Sequence, residues 1–139
     1  MTDDFRGHVG DTLTPEVAWN IGKAVADYLP DDGVVVVVEA QGVNRPITHA
    51  LIEGVLLQGR DVVAHSDGDQ TAVVTGISDQ QAAGGVLITH DELQDIEIIT
   101  FYDARGVLMT SDVGVAEILT TAEAGNFEPA THKGSAKVL

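Results

Sequence analysis

Five consecutive valines, Val34 to Val38, constrain this chain more than any other stretch. β-Branched side chains favour extended backbone, and an apolar run without alternation is satisfied only when both faces of its strand are covered. The run therefore predicts a central strand with helices packed on each side. Its surroundings agree. Thr14-Pro15-Glu16 opens a helix with a hydroxyl cap, proline at the first position and an acid in the first turn. Val17, Ile21, Ala24, Val25 and Tyr28 follow at helical spacing, and Pro30-Asp31-Asp32-Gly33 ends that helix before the valines.

The pattern then repeats. A second helix is predicted from Pro46 to Gly59, with Ile47, Ala50, Leu51, Gly54 and Val55 inward. A short strand over 61–65, a loop at Ser66 to Gln70 and a helical stretch from Thr71 to Ile77 come next. Val86-Leu87-Ile88 reads as a third strand and Ile96 to Tyr102 as a fourth, with a turn at Asp103-Ala104-Arg105-Gly106. Ser111 caps a last helix that carries Val115, Ile118, Leu119 and Ala122 inward and ends before Gly125. Alternating strands and helices imply a three-layer α/β/α sandwich around a mixed, mainly parallel four-stranded sheet. The 139 residues suffice for one domain, over 1–127, followed by a mobile tail over 128–139. There is no internal repeat and no low-complexity segment.

Composition excludes several functions. Without cysteine there is no disulfide, thiolate metal site or cysteine nucleophile. Twenty-two acidic against seven basic residues give a net charge of −15, which repels nucleic acid and anionic membranes. The seven cations are scattered. No apolar run approaches the roughly 20 residues that cross a bilayer, and the acidic start MTDDFRG is unlike a signal peptide. The expected location is the cytoplasm.

Four segments carry a family likeness. Asp4-Phe5-Arg6-Gly7 precedes Leu13-Thr14-Pro15-Glu16, Asn44-Arg45-Pro46-Ile47-Thr48 follows the valine strand, Gly84 to Thr89 runs as GGVLIT, and Phe101 to Gly106 as FYDARG. In order and spacing, over about residues 3–127, these resemble the first domain of the α-D-phosphohexomutases, the phosphoglucomutases and phosphomannomutases. The resemblance implies the α/β/α fold of that domain and a link to sugar phosphates. It also implies that the Mg²⁺ loop, the sugar-recognition loop and the phosphate-binding loop of the family belong to further domains, so no cofactor site is expected here.

The departures bear on activity. The family follows its I-T with A-S-H-N-P and an N-G-x-K element, whereas Thr89 is followed by His90-Asp91-Glu92-Leu93-Gln94-Asp95. The phosphoserine position has no serine, Thr100 stands at the lysine position, and Val43 stands at the aspartate of the D-x-R motif. Phosphoryl transfer depends on a positioned nucleophile and on charge neutralisation by a metal. No catalytic residue is therefore assigned, and Thr89, His90 and Asp91 form a vestigial loop.

Thr89 and His90 have the chemistry of substitute phosphoacceptors or ligand contacts, but Asp91, Glu92 and Asp95 would oppose a phosphate. Arg6 and Arg45 are candidate anion-binding guanidiniums, or partners of local carboxylates. Asp67-Gly68-Asp69 mimics a metal loop without its third aspartate. His65-Ser66-Asp67 holds triad residue types too close in sequence to converge, and His8, His49 and His132 lack metal spacing. Trp19 reads as half-buried at a helix edge, and Gly22, Gly54 and Gly114 as points of close approach within helices. The expected role is a non-catalytic binding or oligomerisation module, in which a free sheet edge pairs with a second copy or another chain. Two alternatives stay open: one piece of a split phosphohexomutase completed by other chains, and a sugar-phosphate sensor using Arg6, Arg45, Thr89 and His90.

Overall fold

The computed structural model describes residues 3–30 and 32–139. Asp31 in the predicted helix break, and Met1 and Thr2 of the acidic start, lie outside the described residues. In chain order the elements are β1 (Phe5–Gly7), α1 (Pro15–Tyr28), β2 (Val35–Glu39), α2 (Arg45–Leu57), β3 (Val62–Ser66) and α3 (Gln70–Gln80). Then come β4 (Gly84–Asp91), β5 (Ile96–Tyr102), a wide turn over Ser111–Val115, α4 (Ala116–Ala124) and β6 (Ala136–Val138).

The valine strand sits in the interior of the sheet, whose order is β1-β5-β4-β2-β3-β6. Strands β4, β2, β3 and β6 are parallel, while β4 and β5 form an antiparallel hairpin and β1 pairs antiparallel to β5. Alternation along β2 divides the core. Val35 and Val37 pack with Ile21, Leu51, Val55, Ile88, Phe101 and Ile118 under α1, α2 and α4. Val36 and Val38 pack with Val73, Ile77, Leu87 and Tyr102 under α3. These are the three layers that the valines demand.

The sheet has six strands among the described residues rather than the expected four. Strands β1 and β6 are three residues each, too short for alternation to mark them, so periodicity gives no sign of them; pairing with β5 and β3 creates them. The 128–139 segment, expected as a tail, returns to the sheet in this structure. Ala130 and Gly134 donate to the carbonyls of Leu57 and Leu56 at 3.1 and 2.8 Å, and Ser135 donates its N–H to Asp61 Oδ1 at 2.8 Å.

Helix starts follow their caps. Thr14 accepts from the Val17 N–H at 3.2 Å, and Asp69 accepts from the Ala72 N–H at 3.3 Å. Ser111 does not cap the last helix, which begins five residues later at Ala116. The cause is Gly114, with φ +105°, packed against the Tyr28 ring inside the wide turn rather than within a helix. The Ser111 N–H instead donates to Asp3 Oδ1 at 2.6 Å.

Two features weld α1 to its neighbours. A side chain at Gly22 would run into the Leu51 carbonyl, and one at Gly54 into the Trp19 carbonyl, so α1 and α2 cross with their backbones in contact. Arg60, only 6% exposed, spreads its guanidinium over the carbonyls of Ala26, Leu29, Pro30 and Gly33. It thereby satisfies acceptors that the end of α1 leaves open, in the orientation that the helix dipole favours. Trp19 is half-buried, as expected, and Lys23 Nζ stands 3.3 Å from its ring centroid.

Candidate functional site

Parallel α/β sheets place ligand crevices beyond the carboxyl ends of their strands. Here that rim is formed by the loop 40–44 after β2, the loop 67–69 after β3, and the β4–β5 hairpin. The hairpin reaches past β2, because Glu39 at the end of β2 pairs only as far as Ile88. Thr89, His90 and Asp91 therefore project beyond the central strand.

Register decides which candidates can meet. Phe5, Ile99 and Ile88 form one row across β1, β5 and β4, and all three belong to the core under α1, α2 and α4. The next row, Arg6, Ile98 and Thr89, faces the α3 side. The row after it, Gly7, Glu97 and His90, returns to the α2 side. Arg6 and Thr89 thus share one face, about 10 Å apart across two strand spacings. His90 and Arg45 lie on the other. The sheet divides the four candidate ligand residues into two pairs instead of gathering them into one pocket.

Each guanidinium faces a carboxylate. Arg6 donates to Asp4 at 3.0 and 3.2 Å. That hydrogen bond, followed by the charge of Asp4, raises the Arg6 pKa above its ordinary value, with Asp91 adding to the effect. Arg45 Nε stands 3.9 Å from Glu39 Oε1.

His90 is the most constrained of the set. Its Nδ1 lies 2.5 Å from Glu97 Oε2, and its Nε2 lies 3.6 Å from Asp95 Oδ1. Glu97 is fully buried, and its other oxygen accepts the Asn44 N–H at 2.7 Å. One carboxylate therefore ties the loop after β2 to the hairpin and orients the imidazole. Sequence reading missed Glu97. Its signal is parity: Glu97 alternates with Ile99 and Phe101 on the inward face, where a carboxylate requires donors. Glu39 carries the same signal at the end of the Val35–Val37 register.

The hairpin closes through Glu92, Leu93, Gln94 and Asp95. Asp91 Oδ1 accepts from the N–H groups of Leu93 and Gln94 at 3.0 and 3.3 Å, and Asp95 adopts φ +55°. Asp91 is thus engaged in making the turn. Thr100 donates its hydroxyl to the Leu87 carbonyl at 3.3 Å.

The remaining motifs resolve locally. His65 and Ser66 are consecutive in β3 and leave it toward opposite faces, so they build no triad with Asp67. Asp69 caps α3 beside an open depression of about 670 Å³ bordered by Gln41, His65, Asp67 and Thr71. Among the described residues no group of three or more His, Asp or Glu could hold a metal ion. No helix among them is long and apolar enough to cross a membrane.

The family model of the phosphoglucomutase/phosphomannomutase α/β/α domain I matches residues 1–128. The chain belongs to this family. Among curated relatives, the phosphoglucosamine mutase of Pediococcus pentosaceus is 29% identical over 99% of the chain and 32% of its own length. The phosphomannomutase of Salmonella typhimurium is 26% identical over 91% of the chain and 28% of its length. A crystal structure of a phosphoglucomutase/phosphomannomutase family protein from Burkholderia thailandensis superimposes with a TM-score of 0.74 at 22% identity, over 99% of this chain and 32% of that one. The likeness to that structure establishes the fold. The chain thus spans about a third of the length of the phosphohexomutases it matches, and the domain I assignment drawn from its motifs stands.

Proposed function

We propose that this phosphohexomutase domain I acts in the cytoplasm as a binding or assembly module and does not itself transfer phosphoryl groups. The observation that carries this reading is the state of the β4–β5 hairpin. Its tip bears Glu92 and Asp95, Asp91 is committed to the turn, and His90 is held between two carboxylates. A phosphate entering there would meet negative charge, with Arg6 and Arg45 already facing Asp4 and Glu39. The family's Mg²⁺ chemistry finds no matching donor set among the described residues.

Assembly is supported by the sheet edge. Strand β6 pairs with β3 on one side only, which leaves its outer side for a second copy or another chain. A single experiment tests the reading. The purified chain is incubated with glucose 1-phosphate, mannose 1-phosphate and a hexose bisphosphate, then followed by product analysis, intact mass and light scattering. The expected result is no interconversion, no added phosphoryl group at Thr89 or His90, and a species larger than a monomer. Isomerised product from the chain alone overturns it.

A second reading rests on the coverage of 28–32% of the relatives' lengths: the chain is one part of an enzyme whose other domains are supplied separately. Mutase activity that appears only on adding a chain carrying those domains supports this alternative against the first.

A further inference from the structure

Among the described residues, the six-stranded sheet carries one helix on its α3 side. An α-helix is about 10 Å across and strands lie about 4.8 Å apart, so α3 shields roughly two of them. These are β2 and β4. On the β5 flank of the helix the sheet is left as a shelf. Ile98 and Thr100 face it from β5, both half-buried. Leu108, 43% exposed, extends the floor, because it bridges Tyr102 and cross-strand partners share a face. The wall is α3 at Val74, 38% exposed, whose side chain approaches the turn at Gly106. The Thr100 hydroxyl is engaged with the Leu87 carbonyl, so the corner is lined chiefly by carbon.

Charge marks this corner off from the rest of the surface. The chain has a net charge of −15, yet residues 70–78 of α3 and 98–102 of β5 hold no charged side chain. An exposed helix flank ordinarily carries charge. Charged groups stand at the borders: Arg6 with Asp4, Arg105 with Asp103, Asp91 in the hairpin turn, and Asp69 and Asp79 beside the ends of α3. The opposite flank of α3 differs, since His65 and Lys137 face it from the sheet and Asp67 and Asp69 border it. Neither a basic nor an acidic partner finds a counter-charge inside the corner. Two copies of this chain repel each other wherever their acids meet, and here they meet neutral surface. Shape agrees. The shelf is one helix deep, and its floor runs about 13 Å along β5 from Ile98 to the Leu108 row. With 11 residues, α3 is about 16 Å long. Each copy thus offers the helix that fills the other's shelf, which is the self-complementarity of an isologous contact.

We propose that this corner joins two copies of the chain about a two-fold axis, with α3 of each copy seated on the β5 shelf of the other. Val74 then meets its symmetry mate, and Ile98, Thr100 and Leu108 are covered. The two sandwiches share one layer of two helices between their sheets. This rests on the assembly reading above and names its surface, which is distinct from the β6 edge.

The test is sedimentation velocity of the full chain from low to high micromolar concentration, with circular dichroism to check the fold of each variant. Expected is a monomer–dimer equilibrium that tightens as salt screens the net charge. Val74→Lys, at an exposed helical position, should weaken dimerisation at least about 100-fold, because symmetry sets two ammonium groups against each other in an apolar contact. Leu108→Lys should weaken it by a similar factor, and it decides the matter if Val74→Lys does not fold. Val138→Lys, on the β6 edge, should leave the equilibrium unchanged. A dimer that withstands both corner variants but is split by Val138→Lys overturns this proposal and leaves the assembly reading standing. A wild-type monomer at every concentration overturns both.

Discussion

The two ends of the sandwich are built on different principles. Around the α1–α2 crossing the contacts are made to backbone: Gly22 meets Leu51 and Gly54 meets Trp19 backbone on backbone, and the Arg60 side chain gathers carbonyls at the end of α1. At the carboxyl rim the contacts run between polar side chains: guanidinium to carboxylate in Arg6 with Asp4 and Arg45 with Glu39, and imidazole to carboxylate in His90 with Glu97 and Asp95. Close packing cannot yield without a cost that rises steeply with displacement. The side chains of Arg6 and Arg45 are 52% and 68% exposed, and ion pairs with so exposed a partner hold geometry weakly. The crossing is therefore held by contacts that cannot shift, whereas the rim is held by contacts that can.

The comparison can be broken most forcefully at the crossing. Gly22→Ala gains roughly 1 kcal/mol of helix propensity but drives a methyl into the Leu51 carbonyl, so a net loss above about 3 kcal/mol is expected. Urea denaturation measures it, and a neutral result would mean that the helices can part. Arg60→Met removes the donors to the end of α1 and should cost about 3 kcal/mol through the carbonyls left unpaired. Thermal melting of that variant should also show β6 loosening, because Gly134 packs on the backbone of Arg60.

Effects at the rim should be smaller. Glu97→Ala deprives the Asn44 N–H of its acceptor and should cost about 2 kcal/mol. Amide exchange should speed up in residues 40–44 and in the hairpin while the α1–α2 crossing stays protected; uniform acceleration would show that the two regions are not separable. The mildest case lies at the other end of the sheet, at Asp103, where β5 ends beside the start of β4. Partial burial works against its ionisation, yet hydrogen bonds from the Val107 N–H, the Arg105 side chain and the Arg105 N–H outweigh it, so its pKa is lowered. A carboxylate more acidic folded than unfolded contributes stability above the unfolded value near pH 4. That contribution disappears as pH falls through the folded value. Asp103→Asn should therefore lower stability slightly at neutral pH and leave it close to wild type below the folded value, which flattens the acid limb of the profile.

Legibility in the sequence follows the same division. The valines announced a covered central strand, and Thr14-Pro15-Glu16 announced α1 to the residue, because burial and capping leave local marks. Strands β1 and β6 left none, since Arg6, Ala136, Lys137 and Val138 are ordered by partners distant in the chain rather than by an apolar pattern of their own. The wide turn was hidden because Gly114 reads equally as a helix interior or as a left-handed residue. The candidate set Arg6, Arg45, Thr89 and His90 can be nominated residue by residue, but its partition between two faces depends on cross-strand register, which no single segment encodes. Glu97 was readable from parity alone.

The strand order has a practical consequence for engineering. Phe5–Gly7 and Ala136–Val138 occupy opposite borders of the sheet, about 24 Å apart at five interstrand steps. A spacer that led from β6 back to β1 in a circular permutant would need at least about eight extended residues. Reporter tags fused at the two ends would emerge on opposite flanks, so each could be read without shadowing the other.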